Sequence, residues 1–303
     1  MVVEVQHHKT FVDNVNVSSA GYWLPRVEKA ALIAGMVPQT RLLPLTDHFF
    51  HLASQEDRTS LSPTMLRMVA DVRAACESLG YPCFLRTDMG SAKQDGPLAY
   101  RIDGPDAISS RLQRTFEDNV LKNMLPAWVM VRKWLPLKSA FVAFHGHPIA
   151  REQRFFATAS RGTLCHHPYW TEEAIHFDPG LKDPMGGEPF RGETVEPSGW
   201  QAKLRALNRP LSHHQEAALS LAATVAAAAC PDAPAWSVDF AQDENGVWHL
   251  IDMADARHSW HPSECTVWKR EEALLQDNRP GGRETQGGSV RRRQHTPETV
   301  LVE

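Results

Sequence analysis

Two aspartates near the end of this 303-residue chain have the spacing for chemistry. Asn245-Gly246 is the strongest short hairpin signal in the sequence, and the residues on either side alternate as strands over 236–241 and 247–253. A two-residue turn there pairs Glu244 with Val247, and counting outward sets Asp239 directly opposite Asp252, on one face. Like charges placed across two strands repel, and nothing in the hairpin itself offsets that. A hard divalent cation such as Mg²⁺ would, taking one or two carboxylates and keeping positions open for phosphate oxygens. The same spacing also suits two aspartates at a solvent edge or paired with arginines.

A second group of candidates lies on a loop leaving a short apolar strand. The segment 84–96, FLRTDMGSAKQDG, carries Arg86, Ser91 and Lys93 around Gly90, a flexible backbone with two cations that suits phosphate. Taken alone it is also what a solvated basic loop looks like. Neither the P-loop pattern G-x-x-x-x-G-K-[ST] nor a G-x-G-x-x-G after a strand occurs. Arg132 and Lys133 in VMVRKW, and Arg151, Glu152 and Arg154 in IAREQRFFA, place charge inside apolar strands, where it needs partners. Each alone is what a sheet-edge ion pair looks like; recurrence across three strands is what favours a ligand contact.

Other clusters carry less. His258-x-x-His261 with Cys265 offers three ligand types that zinc accepts, but the spacing suggests no fourth, so ordinary histidines are expected. The doublets His7-His8, His166-His167 and His213-His214 suggest no mechanism. The five cysteines, Cys76, Cys83, Cys165, Cys230 and Cys265, are odd in number and contain no C-x-x-C pair, which argues against a disulfide framework or a zinc ribbon. None lies near a motif that would make it a nucleophile.

The elements that must position these residues follow from caps and periodicity. Ser62-Pro63 starts a helix on which Met65, Val69, Val72, Cys76 and Leu79 share a face, and Gly80 ends it. A strand is expected over 83–86, a helix over 106–121, and strands over 128–135, 139–145 and 152–158. Residues 168–200, rich in Pro, Gly and acidic side chains, read as a long surface insertion. Ser212 and Gln215 form a capping box for an alanine-rich helix reaching Cys230. Beyond Asn278 the composition is that of a disordered tail. With 42% hydrophobic and 22% charged residues the chain can bury one large core or two closely packed ones. A formal charge of −4 provides no global basic field for nucleic acid. No run reaches the roughly 20 apolar residues of a membrane span, no secretory signal is seen, and a reducing cytoplasm is the expected location.

In order, the basic strand-loop FLRTDMGSAKQDG, the strand AWVMVRKWLPL, the strand AREQRFFA and the closing WSVDFAQDENGVWHLIDMADARHSWHP resemble the ATP-grasp superfamily. Within it the nearest likeness is to the cell division cycle 123 type and to related ATP-grasp proteins of bacteria and phages, over about residues 82–261. The resemblance implies an α+β fold in which two α+β subdomains clamp ATP. By position it implies Arg86, Ser91 and Lys93 on the phosphates, Met130, Val131, Arg132 and Lys133 at the adenine, and Mg²⁺ on Asp239 and Asp252. Arg154 and Lys93 are then the catalytic pair. The domain expectation is a small N-terminal layer over 1–80, the ATP-grasp domain over 81–277, and the tail over 278–303.

Two departures stand out: Arg86 where a lysine is common, and Ala254 where a metal-binding asparagine often follows the last acidic residue. Strand alternation sends Asp255 to the face opposite Asp252. The activity implied is an ADP-forming ligase that joins an unidentified carboxylate or protein substrate to an amine or thiol through an acyl-phosphate. The other reading is an ATP-binding assembly protein without turnover.

Overall fold

The computed structural model describes residues 16–45, 62–90, 97–143, 146–176 and 199–277. Along the chain run α1 (Ala20–Val27), β1 (Thr40–Pro44), α2 (Pro63–Leu79), β2 (Cys83–Thr87), α3 (Pro97–Tyr100), β3 (Arg101–Ile102), α4 (Ile108–Leu121) and β4 (Trp128–Lys133). There follow β5 (Ser139–Ala143), β6 (His147–Ala150), β7 (Glu152–Thr158), β8 (Gly162–Pro168), α5 (Glu172–His176), α6 (Trp200–Leu207), α7 (His213–Ala229), β9 (Trp236–Gln242), β10 (Trp248–Asp255) and α8 (Thr266–Asp277). Among the described residues no helix is long and apolar enough to cross a membrane. The expected tail, and residues 177–198 of the expected insertion, lie outside the described residues.

The first sheet is antiparallel in the order β1-β4-β2-β3. Successive side chains turn to opposite faces of the sheet, and in β2 and β4 both faces are largely buried. Leu85, Val129 and Val131 turn to one face, where they pack with Val72, Cys76 and Leu79 of α2 and Ile108, Leu112 and Phe116 of α4. Each such side chain, fully buried, contributes about 1.5–3 kcal/mol. The opposite parity on β2 and β4 carries Phe84, Arg86 and Arg132, the side on which the pocket lies. α2 begins as expected: the Ser62 hydroxyl accepts from the Met65 N–H at 3.2 Å, Pro63 needs no partner, and Gly80 leaves the helix at φ +80°.

The second sheet runs β10-β9-β7-β8, again antiparallel. One face bears Phe155, Val238, Phe240, Leu250 and Met253, covered by α7 and α1. The alanines of α7, Ala222, Ala223, Ala226 and Ala227, leave room for Trp23 and Trp236 in that core. Both bonds of the Ser212/Gln215 capping box are formed. The first eighty residues contribute to both units: β1 pairs with β4, α2 backs the first sheet, and α1 packs into the core of the second. A β5–β6 hairpin joins the units and packs Phe141 and Ile149 against Trp170, Trp200 and Leu204.

The β9–β10 hairpin differs from the sequence expectation in its turn and agrees with it in its outcome. Gln242 pairs with Trp248 and Phe240 with Leu250, one residue off the expected register. The turn is a three-residue loop, Glu244-Asn245-Gly246, closed by Asp243 N to Val247 O at 2.9 Å, with Gly246 at φ +84°. Asp243 sets that loop, because its carboxylate accepts from the N–H groups of Asn245 and Val247 at 3.0 and 2.8 Å. A bulge at Ile251 then shifts the register back, and Asp252 stands opposite Asp239 after all. Without the bulge Asp252 would point with Leu250 into the apolar core.

Candidate functional site

The second sheet turns a polar face to the cleft. Register places Glu152, Arg154 and Phe156 of β7 beside Ala241, Asp239 and Ser237 of β9, with Asp252 and Ala254 of β10 in the next row. Across from it are Arg86 of β2 and Arg132 of β4. Here the repulsion inherent in the facing aspartates is offset by arginines. Arg154 grips Asp239 with two bonds of 2.7 Å, from Nε and Nη2. Arg86 Nη1 donates to Asp252 Oδ2 at 2.9 Å, bridging the two sheets. Burial alone would lower the pKa of Arg154, but Asp239 alongside raises it above the ordinary arginine range.

Arg132 is enclosed more completely. Burial, and the like charge of Arg86, bring its pKa down to about 10, so it still carries its charge at neutral pH. It donates from Nη1 to the carbonyl of the bulged Ile251 at 2.7 Å and from Nε to Thr40 Oγ1 at 3.3 Å. The bulge thus does two things: it turns Asp252 to the cleft and offers a carbonyl to the buried guanidinium.

Beside these charges opens a cavity of about 290 Å³. Its walls are Phe84, Tyr100, Trp134, Leu135, Pro136, Leu137, Pro148 and Ile251, and its charged lining is Arg86, Arg101, Arg132, Lys133, Glu152 and Asp252. Tyr100 stacks on Trp134 with centroids 6.4 Å apart, and the Arg101 guanidinium lies 4.7 Å over the Trp134 ring. Tyr100 is held by a 2.7 Å hydrogen bond between its hydroxyl and His147 Nδ1. A flat apolar slot opening onto guanidiniums and carboxylates suits a planar base joined to a polyanion.

The loop after β2 is anchored where it leaves the strand. The buried Asp88 carboxylate accepts from Ala127 N and Trp128 N, both at 3.1 Å, and from the Ser19 hydroxyl. Burial raises the pKa of Asp88 despite these bonds. Thr87 Oγ1 donates to Asn119 Oδ1 at 2.8 Å and accepts from Gly90 N at 2.9 Å. A Cβ at Gly90 would stand 2.9 Å from Asn119 Oδ1, so a larger residue there would have to displace an amide that is bonded to Thr87 and Thr115. Ser91 and Lys93 lie outside the described residues.

Of the expected site residues, Arg86, Arg132, Arg154, Asp239 and Asp252 come together at the cleft, and Lys133 lines its wall. Met130 and Val131 do not line the cavity; both are fully buried, Met130 in the core of the second unit and Val131 under the helices of the first. The strand expected to reach residue 135 ends at Lys133, and the wall is made by the segment that follows, Trp134 to Leu137. Pro136 was the available signal, since it cannot continue a ladder. Phe84, Tyr100 and His147 were not singled out from sequence; they reach the cavity through sheet pairing and a hairpin that motifs do not reveal. Asp255 faces away from Asp252 as alternation requires, bound to Arg257. Ala254, on the cleft face, offers no ligand.

Two α+β units, each an antiparallel sheet backed by helices and facing the other across a cleft, form the arrangement implied by the ATP-grasp resemblance. No protein-family model matches the sequence, and no curated protein matches it. Among solved structures the chain is similar to Cdc123 from Schizosaccharomyces pombe at 10% identity, over 85% of this chain and 91% of that one, with a TM-score of 0.47. It is similar to D-alanine–D-alanine ligase from Bacillus anthracis complexed with ATP at 10% identity, over 80% of this chain and 54% of that one, with a TM-score of 0.40. It is also similar to the biotin carboxylase domain of the 2-oxoglutarate carboxylase of Hydrogenobacter thermophilus at 12% identity, with a TM-score of 0.44, spanning 40% of that chain. These are likenesses of fold, and they assign no residue a role.

Proposed function

We propose that the cleft binds Mg²⁺-ATP and that the chain is an ADP-forming ligase acting on a carboxylate substrate. The observation that carries this is the continuity of the aromatic slot at Phe84, Tyr100 and Trp134 with Arg86, Arg132 and the paired Asp239 and Asp252. The base would lie against Trp134 to Leu137, with Lys133 at the edge of the wall. Arg86, Arg132 and, on the loop beyond Gly90, Ser91 and Lys93 would face the phosphates.

Asp239 and Asp252 present hard oxygen donors on one face of neighbouring strands, which fits a magnesium ion. When bound there, the ion would supply charge neutralisation at the phosphate oxygens. Arg86 and Arg154, released from their aspartates, become free to meet phosphate oxygens or the acceptor carboxylate. The residues exchange partners rather than abandon them, so no buried charge is left alone.

The terminal P–O bond of ATP breaks as the substrate carboxylate oxygen bonds to that phosphorus, leaving ADP and an acyl-phosphate. An amine or thiol then displaces phosphate. Such transfer depends on positioning and electrostatic stabilisation, and it asks for no protein nucleophile.

The test is calorimetry with Mg²⁺-ATP followed by product analysis against carboxylate pools. Binding together with ADP release on addition of an acceptor is expected, and absence of any heat or thermal shift at millimolar nucleotide overturns the reading. Binding with no product from any acceptor would instead support an ATP-dependent assembly protein, a reading to which Ala254 lends weight by removing a ligand position. Lys93→Ala should weaken binding far more than Lys203→Ala or Lys269→Ala.

A further inference from the structure

Away from the carboxylates, the polar face of the second sheet ends in a cluster that the nucleotide reading does not use. We propose that Cys165, His167, His261 and Cys265 form a tetrahedral site for a zinc-class divalent ion. One ligand atom from each lies within 4.8 Å of the others. Four ligands held roughly 2.0–2.3 Å from a tetrahedral zinc stand about 3.3–3.8 Å from one another, so a small inward movement completes the site. Two thiols and two imidazoles are the donor set zinc takes in closed structural sites.

The donors are prepared by their surroundings. Cys165 and His167 sit two apart on β8 and share a face; His261 and Cys265 lie on the segment that leads into α8. His261 Nδ1 is 3.0 Å from the Pro262 carbonyl, to which it donates, so its Nε2 lone pair is directed at Cys165 Sγ, 3.4 Å away. A backbone carbonyl fixing the tautomer in this way is the usual support of a ligating histidine. Among the described residues His167 Nε2 is buried with no hydrogen-bond partner, an expensive state for a ring nitrogen that a metal would relieve. Phe156 and Trp268 pack on His261, with centroids 4.6 and 5.6 Å from it, while all four ligand residues stay half-buried. His258, the other half of the H-x-x-H spacing, is not part of the cluster.

Binding replaces the two thiol protons, which leave to solvent, with two sulfur–metal bonds, and involves no change of oxidation state. The ion would tie β8 to the chain between β10 and α8. That chain includes Trp260, whose carbonyl accepts from Arg154 Nη1 at 3.2 Å, so the tie also steadies the arginine that holds Asp239. This proposal stands independently of the nucleotide reading.

The test uses the full chain purified under reducing conditions and without a metal-affinity step. Elemental analysis is expected to find about one zinc per chain, and exchange with Co²⁺ to give the absorption of a tetrahedral thiolate site with its sulfur-to-cobalt charge-transfer band. Cys265→Ser and His167→Ala should abolish the cobalt spectrum, whereas His258→Ala should leave it unchanged. A wild-type protein that holds no zinc and gives no tetrahedral cobalt spectrum overturns the proposal. The wild-type measurements decide the matter even where a variant fails to fold.

Discussion

Asp252 illustrates what a single residue can reveal here. Facing aspartates alone would repel, and removing one charge would then stabilise the ligand-free protein. The structure reverses that expectation, because Asp252 is the partner of Arg86, which is only 6% exposed. Asp252→Asn should therefore destabilise the ligand-free protein by ~1–3 kcal/mol, the cost of leaving a buried charged donor poorly satisfied. The same change should remove most of the thermal shift produced by Mg²⁺-ATP. Denaturant curves of wild type, Asp252→Asn, Arg86→Met and the double variant would check this, with the double variant less destabilised than the sum of the singles. The identity of the charged residues was legible, since charge in apolar strands and a hairpin signal mark them. Their pairing was not, because Arg86 and Asp252 are 166 positions apart and meet only when the two sheets do.

At the scale of elements, caps were the readable part. Ser62-Pro63 and Ser212 with Gln215 announce α2 and α7, and both helices begin where those residues stand. β8 had no such mark: GTLCHHP neither alternates nor caps, and it is a strand because β7 pairs with it. The hairpin was legible in outcome though its turn was not: the Asp243 carboxylate closes a three-residue loop locally where Asn-Gly suggests a two-residue one, and the bulge at Ile251 is tied to the distant Arg132. That bulge makes a prediction. Deleting Ile251 should straighten β10 and keep the carboxylate opposite Asp239, yet deprive Arg132 of its carbonyl. A folded protein with weakened nucleotide binding and a lowered melting temperature is expected.

The end of β10 supplies a second prediction at this scale. Burial pushes the Asp255 carboxyl up, but the bonds from the Arg257 side chain and backbone outweigh it and hold its pKa below the ordinary value. A carboxylate depressed in the folded state stabilises the fold above the unfolded value of about 3.9 and loses that contribution as pH falls through the folded one. Asp255→Asn should thus be less stable than wild type at neutral pH, and its stability should change less on acidification. Thermal melts from neutral pH down into the acid range would show the two profiles converging.

For the molecule as a whole, the contacts that matter run between the two sheets through side chains, chiefly Arg86 to Asp252 and Arg132 to Ile251. Nucleotide in the cleft should slow amide exchange both in β2 and in β10, and protection confined to one sheet would mean the ligand sits elsewhere. The pairing has a further consequence for how the cleft behaves in salt solution. A basin of unpaired cations gathers a cloud of anions and sheds it when a polyanion arrives, so its affinity falls steeply as salt is added. Here three guanidiniums, on Arg86, Arg132 and Arg154, share one face-to-face space with the carboxylates of Glu152, Asp239 and Asp252; Arg101 of the lining is paired with Asp103, which leaves Lys133 as the added positive charge among the described lining residues. Their counterion cloud is thin before the nucleotide enters, and little is shed on entry. Mg²⁺-ATP affinity titrated against potassium chloride should fall with a shallow slope, and Asp239→Asn, which leaves Arg154 unmatched, should steepen it.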